Sequence, residues 1–120
     1  MFTIFMKIIC IDIDSTICNT DKNYYALSTP KKNVINFINK LYSKGYIIKL
    51  YTARGMGRSK DNKKLAEKKF KKLTVKQLKL WKVRYHSIFF GKPSADLYVD
   101  DKSFGYKKNW ITSLKYLLNK

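Results

Sequence analysis

Apolar residues gather in four short runs: Lys7-Ile8-Ile9-Cys10-Ile11, Tyr46-Ile47-Ile48-Lys49-Leu50-Tyr51, Ser87-Ile88-Phe89-Phe90 and Ala95-Asp96-Leu97-Tyr98-Val99. Short, mostly β-branched or aromatic runs with polar or glycine boundaries read as strands buried on both faces, as in a parallel sheet. Between the first two, Val34, Phe37, Ile38, Leu41 and Tyr42 keep helical spacing. Thr29-Pro30 reads as an N-cap with proline at the first helical position, and Lys44-Gly45 as the stop. Ser15 to Thr29 is polar and loop-like. After the glycines of Thr52-Ala53-Arg54-Gly55-Met56-Gly57, helix is expected to resume near Ser59 or Asp61 and run to about Lys72, with a thin stripe of Leu65, Ala66, Phe70 and Leu73. Thr74-Val75-Lys76-Gln77 fits a capping box, so a separate short helix carrying Leu78 and Trp81 should follow. A last helix starts near Asn109, with Trp110, Leu114, Leu117 and Leu118 on one face. Strands alternating with helices predict the α/β class: a single Rossmann-like three-layer domain over residues 1–120, with a mainly parallel sheet and right-handed crossovers.

Composition narrows this picture. A chain of 120 residues can bury a core without disulfide or metal staples. Apolar content of 45% and aromatic content of 15% argue against disorder. No run approaches the roughly 20 apolar residues of a membrane span. Met1 to Met6 is apolar enough to suggest a leader, but Asp12 and Asp14 interrupt it and no small-residue cleavage site follows. The expectation is a cytoplasmic protein, with Met6 a second candidate start. Cys10, Cys18 and His86 are too few for a zinc site, and no C-x-x-C occurs. Cys10 should be a small buried hydrophobe and Cys18 partly exposed, without a disulfide.

The net charge is +18, which raises the question of an anionic partner. Only Arg54, Arg58 and Arg84 are arginines, so 23 of the 26 basic residues are lysines. Nucleic-acid readers usually use arginine forks as well, so compositional bias is the favoured source of the charge. The acidic residues are more informative. Four of the eight fall in two pairs, Asp12 with Asp14 and Asp100 with Asp101.

The four strands end at Asp12/Asp14, Thr52, Lys92 and Asp100/Asp101. In a parallel sheet these ends share one edge, where open α/β sheets place their ligands. Two carboxylates two residues apart on extended chain point the same way and repel, unless a cation or a proton sits between them. Carboxylates suit Mg²⁺, and lysine with a hydroxyl suits a phosphoryl group. A carboxylate can also serve as nucleophile. The plainer reading of Asp12-Ile13-Asp14-Ser15-Thr16 is a turn.

This ordered set resembles the haloacid dehalogenase superfamily of phosphatases and phosphotransferases. Asp12-Ile13-Asp14-Ser15-Thr16 is similar to its first motif, D-x-D-G-T, with Ser15 in the glycine position. Thr52, Lys92 and Asp100-Asp101 resemble the second, third and fourth motifs. The stretch from Phe90 to Lys102 resembles a small capless branch linked with bacterial surface-polysaccharide synthesis. The resemblance implies that Asp12 is the nucleophile, Asp14 the general acid and base, Thr52 a hydrogen-bond donor to the phosphoryl group, and Lys92 its counter-charge. It implies substrate contacts from Ser15, Thr16, Ala53 and Arg54. It implies Mg²⁺ held by Asp12, the carbonyl of Asp14, and Asp100, with Asp101 direct or through water.

From Asp14 to Pro30 the chain is too short for a cap domain, so the site is expected to be open. Association with copies of the same chain is one route to excluding water, and a homo-oligomer is the expectation. The favoured substrate is a small phosphorylated sugar or related metabolite. A nucleic-acid partner is the second reading, because Lys60 to Lys82 carries ten lysines, although few aromatics accompany them. A phospho-receiver module also uses aspartates, a threonine and a lysine, but such modules place the acidic pair first and the phosphorylated aspartate later. Lys92 has a surface reading, Thr52 a strand-end reading, Arg54 and Arg58 an exposed-loop reading, and His86 is better read as packed or hydrogen-bonded than as a catalyst.

Overall fold

β1 (Ile8–Asp12) is an inner strand of the molecule's main sheet in the computed structural model, which describes residues 7–56, 62–99, 111, 112 and 115. Ile8 and Ile9 on β1 are β-branched and Cys10 is small, which suits a strand covered on both sides. Beside β1 lies β4 (Ile47–Thr52), then β5 (Ser87–Phe90). On its other side lies β6 (Leu97–Val99), so the order is β5-β4-β1-β6 and every pairing is parallel. The expected parallel α/β arrangement is what the chain adopts.

α1 (Lys32–Ser43) links β1 to β4, and α2 (Lys63–Leu80) links β4 to β5. Both crossovers advance in the same direction, so right-handedness places both helices on one face of the sheet. The core agrees. Val34, Ile35, Phe37, Ile38 and Leu41 of α1 and Leu78 of α2 cluster with Ile9, Ile11, Ile48 and Leu50. Cα register pairs Ile9 with Ile48 and Ile11 with Leu50, so these four share that face. The opposite face carries Cys10 and Asp12 beside Lys49 and Tyr51. Residues 91–96 pass over it from β5 to β6. Lys49 Nζ donates to the Ser94 carbonyl at 2.9 Å, and the Tyr98 hydroxyl to the Pro93 carbonyl at 2.6 Å.

Three local expectations are corrected. Thr29-Pro30 is not a helix start. It forms β3 (Thr29–Pro30), paired antiparallel with β2 (Cys18–Asn19), while α1 begins at Lys32 after a Lys31 N-cap that makes no side-chain bond. The proline thus stiffens a two-residue hairpin strand within a stretch read as loop. Thr74 is not a cap either, because α2 is one helix of 18 residues. Its N-cap is Asn62, which accepts from the Leu65 amide at 3.1 Å. The Thr74 hydroxyl donates back to the Phe70 carbonyl at 2.8 Å, a bond compatible with unbroken helix. Finally, Cys18 is fully buried. His86 is hydrogen-bonded, as read: its Nδ1 accepts from the Ile48 amide at 3.0 Å, and its ring stacks on Tyr42. The last helix lies largely outside the described residues.

Candidate active site at the carboxyl edge of the sheet

β1 ends in a tight turn. The Ile13 amide still donates to the Tyr51 carbonyl, and the Ile13 carbonyl then accepts from the amides of Thr16, Ile17 and Cys18. Ser15 sits at φ 69°, the left-handed region that favours glycine. The turn therefore needs the conformation that a D-x-D-G-T glycine supplies freely, and serine adopts it here with Lys31 Nζ on its carbonyl at 3.1 Å.

This turn separates the surroundings of the two aspartates. Asp12 lies opposite Tyr51 in the register, on the face crossed by residues 91–96. Lys92 Nζ stands 5.8 Å from the Tyr51 ring centre and 4.6 Å from that of Tyr98, so the lysine after β5 is brought to the face that carries Asp12. Asp14 faces a different set. Its Oδ2 accepts from the Thr52 hydroxyl at 3.2 Å and its Oδ1 from the Thr20 hydroxyl at 2.7 Å. Thr52 is on the helix-covered face, two residues beyond Leu50.

The sequence reading places Arg54 among substrate contacts; the structure turns it inward. Arg54 is 1% exposed. Its Nε donates to both Asp14 oxygens at 3.2 and 3.1 Å, and its Nη2 to Oδ1 at 3.0 Å. The guanidinium thus forks onto the carboxylate, while the Arg54 amide donates to the Thr52 hydroxyl at 3.0 Å. Thr16 is likewise fully buried, and its hydroxyl has no hydrogen-bond partner among the described residues. Neither side chain is presented to solvent. Ala53 is exposed and Ser15 half-buried.

Cys18 and Thr20 close the other side of Asp14. Cys18 Sγ lies 3.8 Å from Asp14 Oδ1 and 3.5 Å from the Thr20 hydroxyl. Burial pushes the Cys18 thiol above its ordinary range and the neighbouring Asp14 charge adds to this, against the opposing pull of Thr20, Arg54 and Ser28. Thr20, Thr74 and Gln77 are members of this network that sequence reading missed. Thr74 and Gln77 carry a signal, as polar residues on the inner stripe of a helix, but the capping-box pattern masks it.

Of the four expected metal ligands, Asp100 and Asp101 lie outside the described residues. Among the described residues, no group of three or more His, Cys, Asp or Glu gathers as a metal cluster. The Asp14 carboxylate is surrounded by donors, which suits the expectation that its backbone carbonyl, not its side chain, would face a metal. The carboxylate of Asp12 and that carbonyl are hard oxygen donors of the kind Mg²⁺ takes.

No family model matches the chain, and no curated protein sequence matches it. Among solved structures it is similar to a Vibrio cholerae protein, with 23% identity and a TM-score of 0.70 over 93% of this chain and 98% of that one. It is also similar to a chain of a Pnkp1/Rnl/Hen1 RNA repair complex, with 16% identity and a TM-score of 0.51 over 93% of this chain. A second Pnkp1/Rnl/Hen1 structure gives 14% identity and a TM-score of 0.53. In these two the match spans only 32% and 34% of the longer chains. At such identities the likeness shows the fold.

Proposed function

We propose that the chain is a phosphomonoesterase that works through an aspartyl-phosphate on Asp12. The observation that carries this reading is the pair of unlike aspartates at the end of β1. One lies on the same face as Lys92; the other is oriented by Thr52, Thr20 and Arg54. The fold shared with a chain of an RNA repair complex is compatible with a haloacid-dehalogenase-like domain.

A carboxylate oxygen of Asp12 bonds to phosphorus while the bond to the leaving oxygen breaks, and Asp14 gives that oxygen a proton. Water then attacks the acyl phosphate, Asp14 takes its proton, and the Asp12–phosphorus bond breaks to release phosphate. Lys92 supplies positive charge on the Asp12 side. A Mg²⁺ held by Asp12 and the Asp14 carbonyl, with Asp100, would neutralise charge on the phosphoryl oxygens. Phosphoryl transfer of this type depends on positioning and charge neutralisation.

The substrate favoured by the open, capless arrangement is a small phosphorylated sugar or related metabolite. A phosphorylated polynucleotide end is the second reading, motivated by the RNA repair likeness and by eight exposed lysines on α2, from Lys63 to Lys79. Phosphate release from a sugar phosphate and from an end-phosphorylated oligonucleotide, measured side by side, separates the two. Release from neither, and from no aryl phosphate, overturns the enzymatic reading.

A further inference from the structure

We infer that α2 is the positioning element of the site: Gln77, with Thr74, locks the Arg54 guanidinium so that its opposite edge fixes the carboxylate of Asp14. The inference rests on the phosphomonoesterase reading, in which Asp14 handles the proton. Arg54 Nη1 donates to the Gln77 Oε1 at 2.5 Å and to the Thr74 hydroxyl at 3.2 Å. Nε and Nη2 are spent on Asp14. A guanidinium is planar and rigid, so holding one corner sets the direction of the fork at the other. Thr74 and Gln77 are 1% and 7% exposed, so water does not readily replace them.

Gln77 has a second attachment. Its Nε2 donates to the Tyr25 carbonyl at 2.6 Å. The Tyr25 ring lies 5.1 Å from the Arg54 guanidinium carbon and packs edge-on against Phe70 of α2. One amide therefore joins the helix, the β2–β3 segment and the arginine after β4. Thr20, on that same segment, touches Asp14 directly. The carboxylate is thus held from two sides: by Arg54, which Gln77 anchors, and by Thr20, on the segment whose Tyr25 carbonyl Gln77 also binds.

A purely structural brace would lower stability and scale all activity equally. A positioning brace has a different signature, because protonation of the leaving oxygen matters greatly for an alkoxide and little for a nitrophenolate. In Gln77→Met, turnover of an alkyl phosphate should fall on the order of 10- to 100-fold, and that of nitrophenyl phosphate much less. Thr74→Val is the second variant should Gln77→Met not fold. An activity-independent readout accompanies the kinetics. The chain has three arginines, so its arginine Nε–H signals are few in nitrogen-15 NMR. Arg54 should give a slowly exchanging one, identified by its loss in Arg54→Lys, and Gln77→Met should speed its exchange. An unchanged ratio of alkyl to aryl turnover with that signal still protected overturns the inference. A wild-type protein with no turnover overturns the phosphatase reading instead, and Gln77→Met must then still release the Arg54 signal or the brace itself is refuted.

Discussion

Asp12 and Asp14 differ by two positions in sequence but stand in different settings, Asp12 on the face that Lys92 reaches and Asp14 in the fork of Arg54, so their amide variants should separate. Asp12→Asn removes the proposed nucleophile, and turnover should vanish while the protein still folds. Asp14→Asn leaves a guanidinium with a side chain 0% exposed facing an amide. Breaking a buried pair from one side is costly; the Asp14 side chain is 21% exposed, so about 3 kcal/mol, the low end of the range for such pairs, is expected by urea unfolding. An Asp14→Asn variant as stable as the wild type would contradict the Arg54–Asp14 geometry. Cys18, buried against the same carboxylate with its thiol pushed up, should resist iodoacetamide at mildly alkaline pH until the protein unfolds. Rapid native-state labelling would contradict that burial. At this scale the sequence disclosed that Asp12 and Thr52 close their strands and that Lys92 follows β5, because motif spacing and apolar runs locate them. It did not disclose that Arg54 turns inward, since an arginine beside glycines reads as exposed and its three partners come from distant segments.

α2 shows how an element differs from its local signals. Thr74 to Gln77 satisfies a capping-box pattern, yet the helix passes through because both side chains are engaged elsewhere, Thr74 with Phe70 and Arg54, Gln77 with Arg54 and Tyr25. Periodicity alone could not distinguish a polar cap from a polar inner stripe. The loop feeding α2 is equally constrained. Gly55 has φ 76°, and a Cβ there would stand 2.5 Å from a Phe70 ring carbon. Gly45 has φ 98° but nothing within 4 Å of such a Cβ. Gly45→Ala should therefore cost about 1–2 kcal/mol from backbone strain alone. Gly55→Ala should cost about 1–3 kcal/mol more, because the ring and α2 must shift. Chemical denaturation of both variants checks the order, and a reversal would place Phe70 away from the loop.

The whole molecule brings strand ends of a parallel sheet to one edge, an outcome that follows from alternating strands and helices and is legible in the sequence. Its charge of +18 is not explained by the fold, and salt dependence decides whether it serves binding. Counterion release predicts a steep loss of oligonucleotide affinity with salt, whereas turnover of a sugar phosphate should fall only slightly. A steep, salt-sensitive preference for oligonucleotides would move the substrate assignment to nucleic acid. The central claim is tested most directly by phosphate release from nitrophenyl phosphate, comparing wild type with Asp12→Asn, in Mg²⁺ and then in excess chelator. The expected result is turnover by the wild type in Mg²⁺, lost in chelator and absent from Asp12→Asn in both; turnover by Asp12→Asn near the wild-type rate would contradict the account.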